Sequence, residues 1–78
     1  MRLLISFETA QRAFIDDRRI IYADEKHSDG EKRFFCIGND GNGIATVRFT
    51  IRGGGIRILG AGYWRRGRRM YEAKNGQR

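Results

Sequence analysis

Apolar residues recur along this chain with two different periods. In residues 7–15, Phe7, Ala10, Phe14 and Ile15 fall at helical spacings, with Glu8, Gln11 and Arg12 between them. Ser6 stands where a helix N-cap belongs, and Glu8 in the first turn suits the positive end of the helix dipole. Residues 19–23 then read as a strand, and residues 33–38 as a second. Between residues 44 and 51 the period is two: Ala45, Val47, Phe49 and Ile51 alternate with Ile44, Thr46, Arg48 and Thr50. The Ala-Val-Phe-Ile set is expected on the core. A fourth strand is expected over residues 56–60, with Ile56 and Ile58 on one face and Arg57 and Leu59 on the other.

Turn formers separate these segments. Asp24, Ser28, Asp29 and Gly30 mark a polar connection, Asn39 to Gly43 a hairpin, and Arg52-Gly53-Gly54-Gly55 a second hairpin. The chain closes with a helix expected over residues 64–74. Trp64, Gly67, Met70 and Tyr71 share one side of it, and Arg65, Arg66, Arg68 and Arg69 fall largely on the other. Gly67 costs about 1 kcal/mol in a helix interior relative to Ala, so it marks close packing or a kink. The expected class is α+β: a four-stranded antiparallel meander with an N-terminal and a C-terminal helix. One sheet face should pack on helix. The other, carrying Arg48 and Thr46, should stay open, with the face of Arg57 undetermined.

The 78 residues suit one domain spanning residues 1–78. Cys36 is the only cysteine, so no internal disulfide can form, and in an apolar strand it reads as a packed side chain. With His27 the only histidine, zinc-ligand spacings are absent and no cofactor is expected. The short apolar start is broken by Ser6, Glu8 and Arg12, too early for a secretory or membrane segment. A cytoplasmic setting without membrane contact is the expectation.

Charge changes the picture more. Residues 1–40 carry seven Lys/Arg and eight Asp/Glu, a net of −1; residues 41–78 carry nine and one, a net of +8. Such polarity points to an anionic partner. Arginine offers a planar fork of donors that matches phosphate and stays charged. RNA cleavage by the 2′-hydroxyl builds extra negative charge on a pentavalent phosphorus, which well-placed guanidinium groups stabilise without a metal. Arg57, Arg65, Arg68 and Arg69 are the candidates for that work. His27 or Glu31 is the candidate base, and Tyr63 or Tyr71 can assist. Lys26, Arg33, Arg48, Tyr63 and Arg66 are candidate RNA contacts, since unpaired bases stack on aromatic rings.

In these residues the chain resembles the BrnT toxins of bacterial toxin–antitoxin operons. The ordered pieces are Phe7-Glu8-Thr9-Ala10 with Phe14 and Asp16, and Asp24-Glu25-Lys26-His27-Ser28 with Glu31 and Arg33. Ile37-Gly38, Arg48-Phe49-Thr50, Ile56-Arg57-Ile58, Ala61, Arg65-Arg66-Gly67-Arg68-Arg69 and Tyr71-Glu72 follow. The resemblance implies a RelE-like fold and a ribonuclease that blocks translation. It implies a neighbouring antitoxin, BrnA, in a higher-order complex, with operator DNA bound only through the antitoxin. Three departures stand out. The chain begins after the Trp-Asp and Lys-His-Gly segments with which members usually open. Gly60-Ala61-Gly62 replaces the usual Ser-Ala-Arg, and Gly67 stands where Glu is frequent. Two rival classes are a non-catalytic RelE/ParE-like toxin that blocks a protein target, and a plain nucleic-acid-binding domain.

Overall fold

The computed structural model describes residues 5–27 and 30–76. Its elements run α1 (Phe7–Arg12), β1 (Ile20–Ala23), a 3₁₀ turn (Glu25–His27), β2 (Arg33–Asn39), β3 (Ile44–Arg52), β4 (Gly55–Gly62) and α2 (Arg65–Lys74). The four strands form one antiparallel sheet in the order β1-β2-β3-β4, the expected meander flanked by a helix at each end of the chain. Ser28 and Asp29, named above as turn formers, lie outside the described residues.

Ser6 caps α1 as its sequence suggests, its Oγ accepting from the Thr9 N–H at 3.1 Å. The helix is shorter than expected. Beyond Arg12, the N–H groups of Ala13, Phe14 and Ile15 donate to Ala10, Gln11 and Arg12, so the ladder tightens into i→i+3 bonds and stops. Ala10 and Ala13 are buried, Phe14 packs edge-on against Phe49 with ring centroids 5.0 Å apart, and Phe7 and Ile15 are left exposed. A Cβ at Gly38 would run into the Ala13 carbonyl, so glycine there lets the end of α1 lie directly on β2.

The first sheet face makes this core. Cys36, Ala45, Val47, Phe49, Ile58 and Ala61 meet α1 there. Burial pushes the Cys36 thiol pKa up to about 11, in keeping with a packed side chain. Ile51 departs from expectation: it is 59% exposed. Its alternation with Phe49 holds, but it pairs with Ile56, itself 53% exposed, at the end of the sheet beside the Gly53–Gly54 turn. The register of β4 jumps between Arg48↔Gly60 and Phe49↔Ile58, which leaves Leu59 without an opposite residue. At the tip, Gly53 and Gly54 take φ of 60° and 81°, the left-handed conformations a two-residue primed hairpin turn requires.

The two helices lie on opposite faces, which corrects the expectation of one open face. Thr46 and Ile37 are cross-strand partners on the second face, and α2 lies on them through Gly67. Thr46 is therefore 5% exposed, not open. A Cβ at Gly67 would overlap Thr46 Oγ1, so this glycine marks close packing. The helix starts at Arg65, with Trp64 as an N-cap that makes no side-chain cap bond. Tyr71, on the same side as Gly67 as expected, anchors it: its buried hydroxyl donates to Asp16 Oδ2 at 2.6 Å. Trp64 does not anchor it in the core; it is 41% exposed and lies against Gly62.

Asp16 ties the second helix to the rest. Its carboxylate accepts from the N–H groups of Arg18 and Asn39 at 2.9 and 2.7 Å as well as from Tyr71, while Asn75 Nδ2 donates to the Arg18 carbonyl. Burial pushes the Asp16 pKa up, but the bonds from Asn39, Tyr71 and Arg18 outweigh it and hold the group below its usual 3.8.

Two outcomes follow. Gly67→Ala gains helix propensity yet should destabilise by about 1–3 kcal/mol through overpacking, with partial recovery in Gly67→Ala/Thr46→Ala; urea unfolding of the four proteins of that cycle measures it. Because the folded Asp16 pKa lies below the unfolded value, its contribution is fully present above pH 3.8 and is lost as pH falls through the folded pKa. Asp16→Asn should therefore lose stability at pH 7 and show a shallower acid limb than the parent in a pH series of thermal melts.

Candidate functional site

Helix α2 covers only the Ile37–Thr46 end of the second face. Cross-strand pairing orders what remains open. One row holds Tyr22, Phe35, Arg48 and Gly60; the next holds Arg33, Thr50 and Arg57, with the Asp24 N–H bonded to the Arg33 carbonyl beside it. Arg57 therefore shares the face of Arg48, which answers the question its sequence left open. The rows end in a cleft of about 650 Å³ between β1, the 3₁₀ turn and the first turn of α2. Tyr22, Asp24, Lys26, Thr46, Trp64 and Arg66 are among its walls.

The floor is aromatic. Tyr22 and Phe35 stack with centroids 5.1 Å apart and 26° between planes. The Tyr22 hydroxyl donates to Met70 Sδ at 3.6 Å, a weak bond that leaves the oxygen available. Burial raises the Tyr22 pKa above 10; the nearby Arg66 charge lowers it and Asp24 raises it, so both charges lie close to this phenol. Arg48 approaches Asp24 loosely, Nη2 to Oδ2 3.9 Å. Arg48 Nε and Thr46 Oγ1 are buried with no hydrogen-bond partner among the described residues. A buried donor left unmade costs about 1–3 kcal/mol, a cost that Arg48 Nε and Thr46 Oγ1, the latter shut beneath Gly67, both carry in this fold.

Of the residues singled out from sequence, the cleft gathers Lys26 and Arg66, with Arg48, Arg33 and Arg57 on the adjoining face. His27 ends the 3₁₀ turn next to Lys26; its side chain lies outside the described residues. Glu31 stands apart, bonded to Arg52 at 2.8 Å, and that bond lowers its pKa, which weakens it as a base near neutral pH. The arginines of α2 diverge. With Gly67 on the sheet, the 100° step puts Arg66 and Arg68 on opposite flanks of the helix, Arg66 on the side of Tyr22 and Arg68, together with Arg65, on the side of Tyr63, while Arg69 lines neither cleft. Arg57, Arg65, Arg68 and Arg69 thus do not meet at one phosphate-sized spot. Tyr71 is 3% exposed, its hydroxyl is committed to Asp16, and burial with that bond pushes its pKa up to about 12; it is an anchor rather than a group offered to a substrate.

Sequence reasoning passed over Tyr22 and Phe35 as site residues and favoured a core role for Trp64, which is 41% exposed instead. The alternation of β1 and β2 puts Tyr22 and Phe35 on one face of their strands, but which face looks into a cleft depends on where α2 lands. Among the described residues no group of three or more His, Cys, Asp or Glu could hold a metal, and no helix is long and apolar enough to cross a membrane.

Residues 4–67 match the family model described as ribonuclease toxin, BrnT, of type II toxin-antitoxin system. No curated protein and no solved structure matches the chain.

The proximity of Arg66 to Tyr22 has a spectroscopic consequence. In Arg66→Ala the phenol should titrate at still higher pH than in the parent, because a charge that favours the phenolate is gone. Tyrosine ring-carbon NMR shifts followed over an alkaline titration would read it; an unchanged midpoint for Tyr22 would place Arg66 away from the cleft.

Proposed function

The chain belongs to the BrnT family of ribonuclease toxins of type II toxin–antitoxin systems, and on that premise we propose that it cleaves RNA in the cleft under α2 by a metal-independent route. Family membership implies an RNA substrate and an antitoxin partner. The observation that supports this location is the meeting of Lys26 and Arg66 with a stacked Tyr22–Phe35 pair in one open cleft.

In this reading an unpaired base lies against the exposed edge of the aromatic floor and Trp64. Its phosphate lies between Lys26, Arg48 and Arg66. The 2′-oxygen of the substrate attacks phosphorus as its proton passes to a base, for which His27 is the candidate. The bond to the 5′-oxygen breaks, and that oxygen takes a proton from an acid, for which the Tyr22 phenol is the candidate. The products are a 2′,3′-cyclic phosphate and a 5′-hydroxyl, with no net change in protons. Guanidinium and ammonium groups fixed around the phosphate stabilise the charge that grows in the transition state. Arg33 and Arg57 extend the basic strip along which the strand lies.

The antitoxin is proposed to be BrnA-like, with a ribbon-helix-helix-like DNA-binding segment, and to cover this cleft in a higher-order complex. Operator DNA is then reached only through the antitoxin, and the toxin acts on RNA in the cytoplasm, where translation stops.

The purified chain should cut single-stranded RNA in excess EDTA and leave cyclic phosphate ends. Replacing Lys26, Arg48 or Arg66 by Ala should each cost about a hundredfold or more in rate. RNA that stays whole while binding weakens steeply with salt would indicate a plain binding domain. Whole RNA with growth arrest on expression would indicate a toxin aimed at a protein. Full activity in the triple alanine variant would put the chemistry elsewhere.

A further inference from the structure

A second cleft of about 370 Å³ lies on the other flank of α2. Its walls are Asn42 and Gly43 of the β2–β3 turn, Ile44, Tyr63, Trp64, Arg65 and Arg68. Trp64 belongs to the walls of both clefts, so a single indole separates this space from the one under Lys26 and Arg66. The indole is held in place from below: a Cβ at Gly62 would lie 2.8 Å from its Cζ2, so the ring rests directly on glycine backbone.

The far wall is built with equal care. The Tyr63 hydroxyl donates to Asp40 Oδ2 at 2.6 Å. The other Asp40 oxygen accepts from the N–H groups of Asn42 and Gly43 at 2.8 and 3.0 Å. A Cβ at Gly43 would lie 3.3 Å from the Tyr63 ring, which leaves the ring edge close against the turn. Asp40 is 1% exposed, so its charge is consumed in this bracing and is not presented to the cleft. What the cleft presents is one half-exposed phenol ring, one indole and two guanidinium groups, of which Arg68 is shared with Glu72 at 3.0 Å. Rings for a base and guanidinium groups for a phosphate are the two things a nucleotide needs.

We infer that this cleft is a second nucleotide subsite, which takes the RNA strand on the far side of Trp64 from the cleavage groove. The inference rests on the ribonuclease reading and adds to it a strand path: across the open sheet face, over the Trp64 indole, and down between Tyr63 and Arg65. The divergence of the α2 arginines then has a use. Arg66 serves one side of the indole, while Arg65 and Arg68 serve the other.

The chain has one tryptophan, so Trp64 fluorescence reports binding without a label. The probes are a dinucleotide and a hexanucleotide of 2′-O-methyl RNA, in which the attacking hydroxyl is blocked. The hexanucleotide should bind about tenfold or more tighter than the dinucleotide, the scale of one added stacked base. Arg65→Ala/Arg68→Ala and, separately, the charge-neutral Tyr63→Leu should each remove most of that gain while the dinucleotide affinity is kept, which also shows that the variants are folded. Lys74→Ala, at the far end of α2, should leave the gain intact. A gain that survives in both cleft variants, or that falls equally in Lys74→Ala, overturns the subsite and leaves the cleavage groove standing. A parent protein that binds neither oligonucleotide overturns both.

Discussion

The contact between Gly67 and Thr46 sets the working geometry of this protein. A helix lies so close to a sheet only where one residue has no Cβ, and the cost of glycine in a helix interior, about 1 kcal/mol, is the accompanying penalty. Once Gly67 is on Thr46, the rotation of α2 about its axis is settled. Met70 and Tyr71 face inward, Arg66 falls beside Tyr22, and Arg65 and Arg68 fall beside Tyr63. The Asp16 carboxylate then holds the far end of the helix through Tyr71. Packing at one atom thus decides where three guanidinium groups stand.

The same packing leaves two buried polar atoms without hydrogen-bond partners among the described residues. These are Thr46 Oγ1 and Arg48 Nε, beneath or beside α2, whereas Asp40 is met by two N–H groups and a phenol, and Thr50 donates to the Lys32 carbonyl at 2.6 Å. A small protein has little stability to spare, and each unmade bond lowers it. The basic excess of the second half of the chain is spent in the same region, along β3, β4 and the first two turns of α2. A surface that draws RNA is also one that draws an acidic partner, which is the electrostatic condition for an antitoxin to neutralise this toxin family.

Much of the architecture was legible in the chain. The Ser6 cap, the period-two run from Ile44, the Gly53–Gly54 turn and the order of the meander follow from local chemistry: capping, alternation and left-handed backbone at glycine. Expectation failed where length or landing place mattered. Helix α1 stops at Arg12 because its ladder tightens, and Ile51 is exposed beside an equally open Ile56 at the end of the sheet. The site was legible as a list of residue types but not as a grouping. Lys26 and Arg66 share the cleft, Arg33, Arg48 and Arg57 share a sheet face, and Arg69 and Tyr71 have left the group.

By itself the sequence determined the elements, their order, the polarised charge and the family. These depend on residues near one another along the chain, or on composition, and need no knowledge of what packs on what. The tertiary structure alone decided that the helices take opposite faces, that Tyr22, Phe35 and Trp64 line one cleft, and that Arg66 and Arg68 of α2 stand at two different clefts. Those outcomes depend on where a helix comes to rest on a sheet, and that is set by the missing Cβ at residue 67 and the hydroxyl of Thr46, two groups 21 positions apart that meet only in the fold.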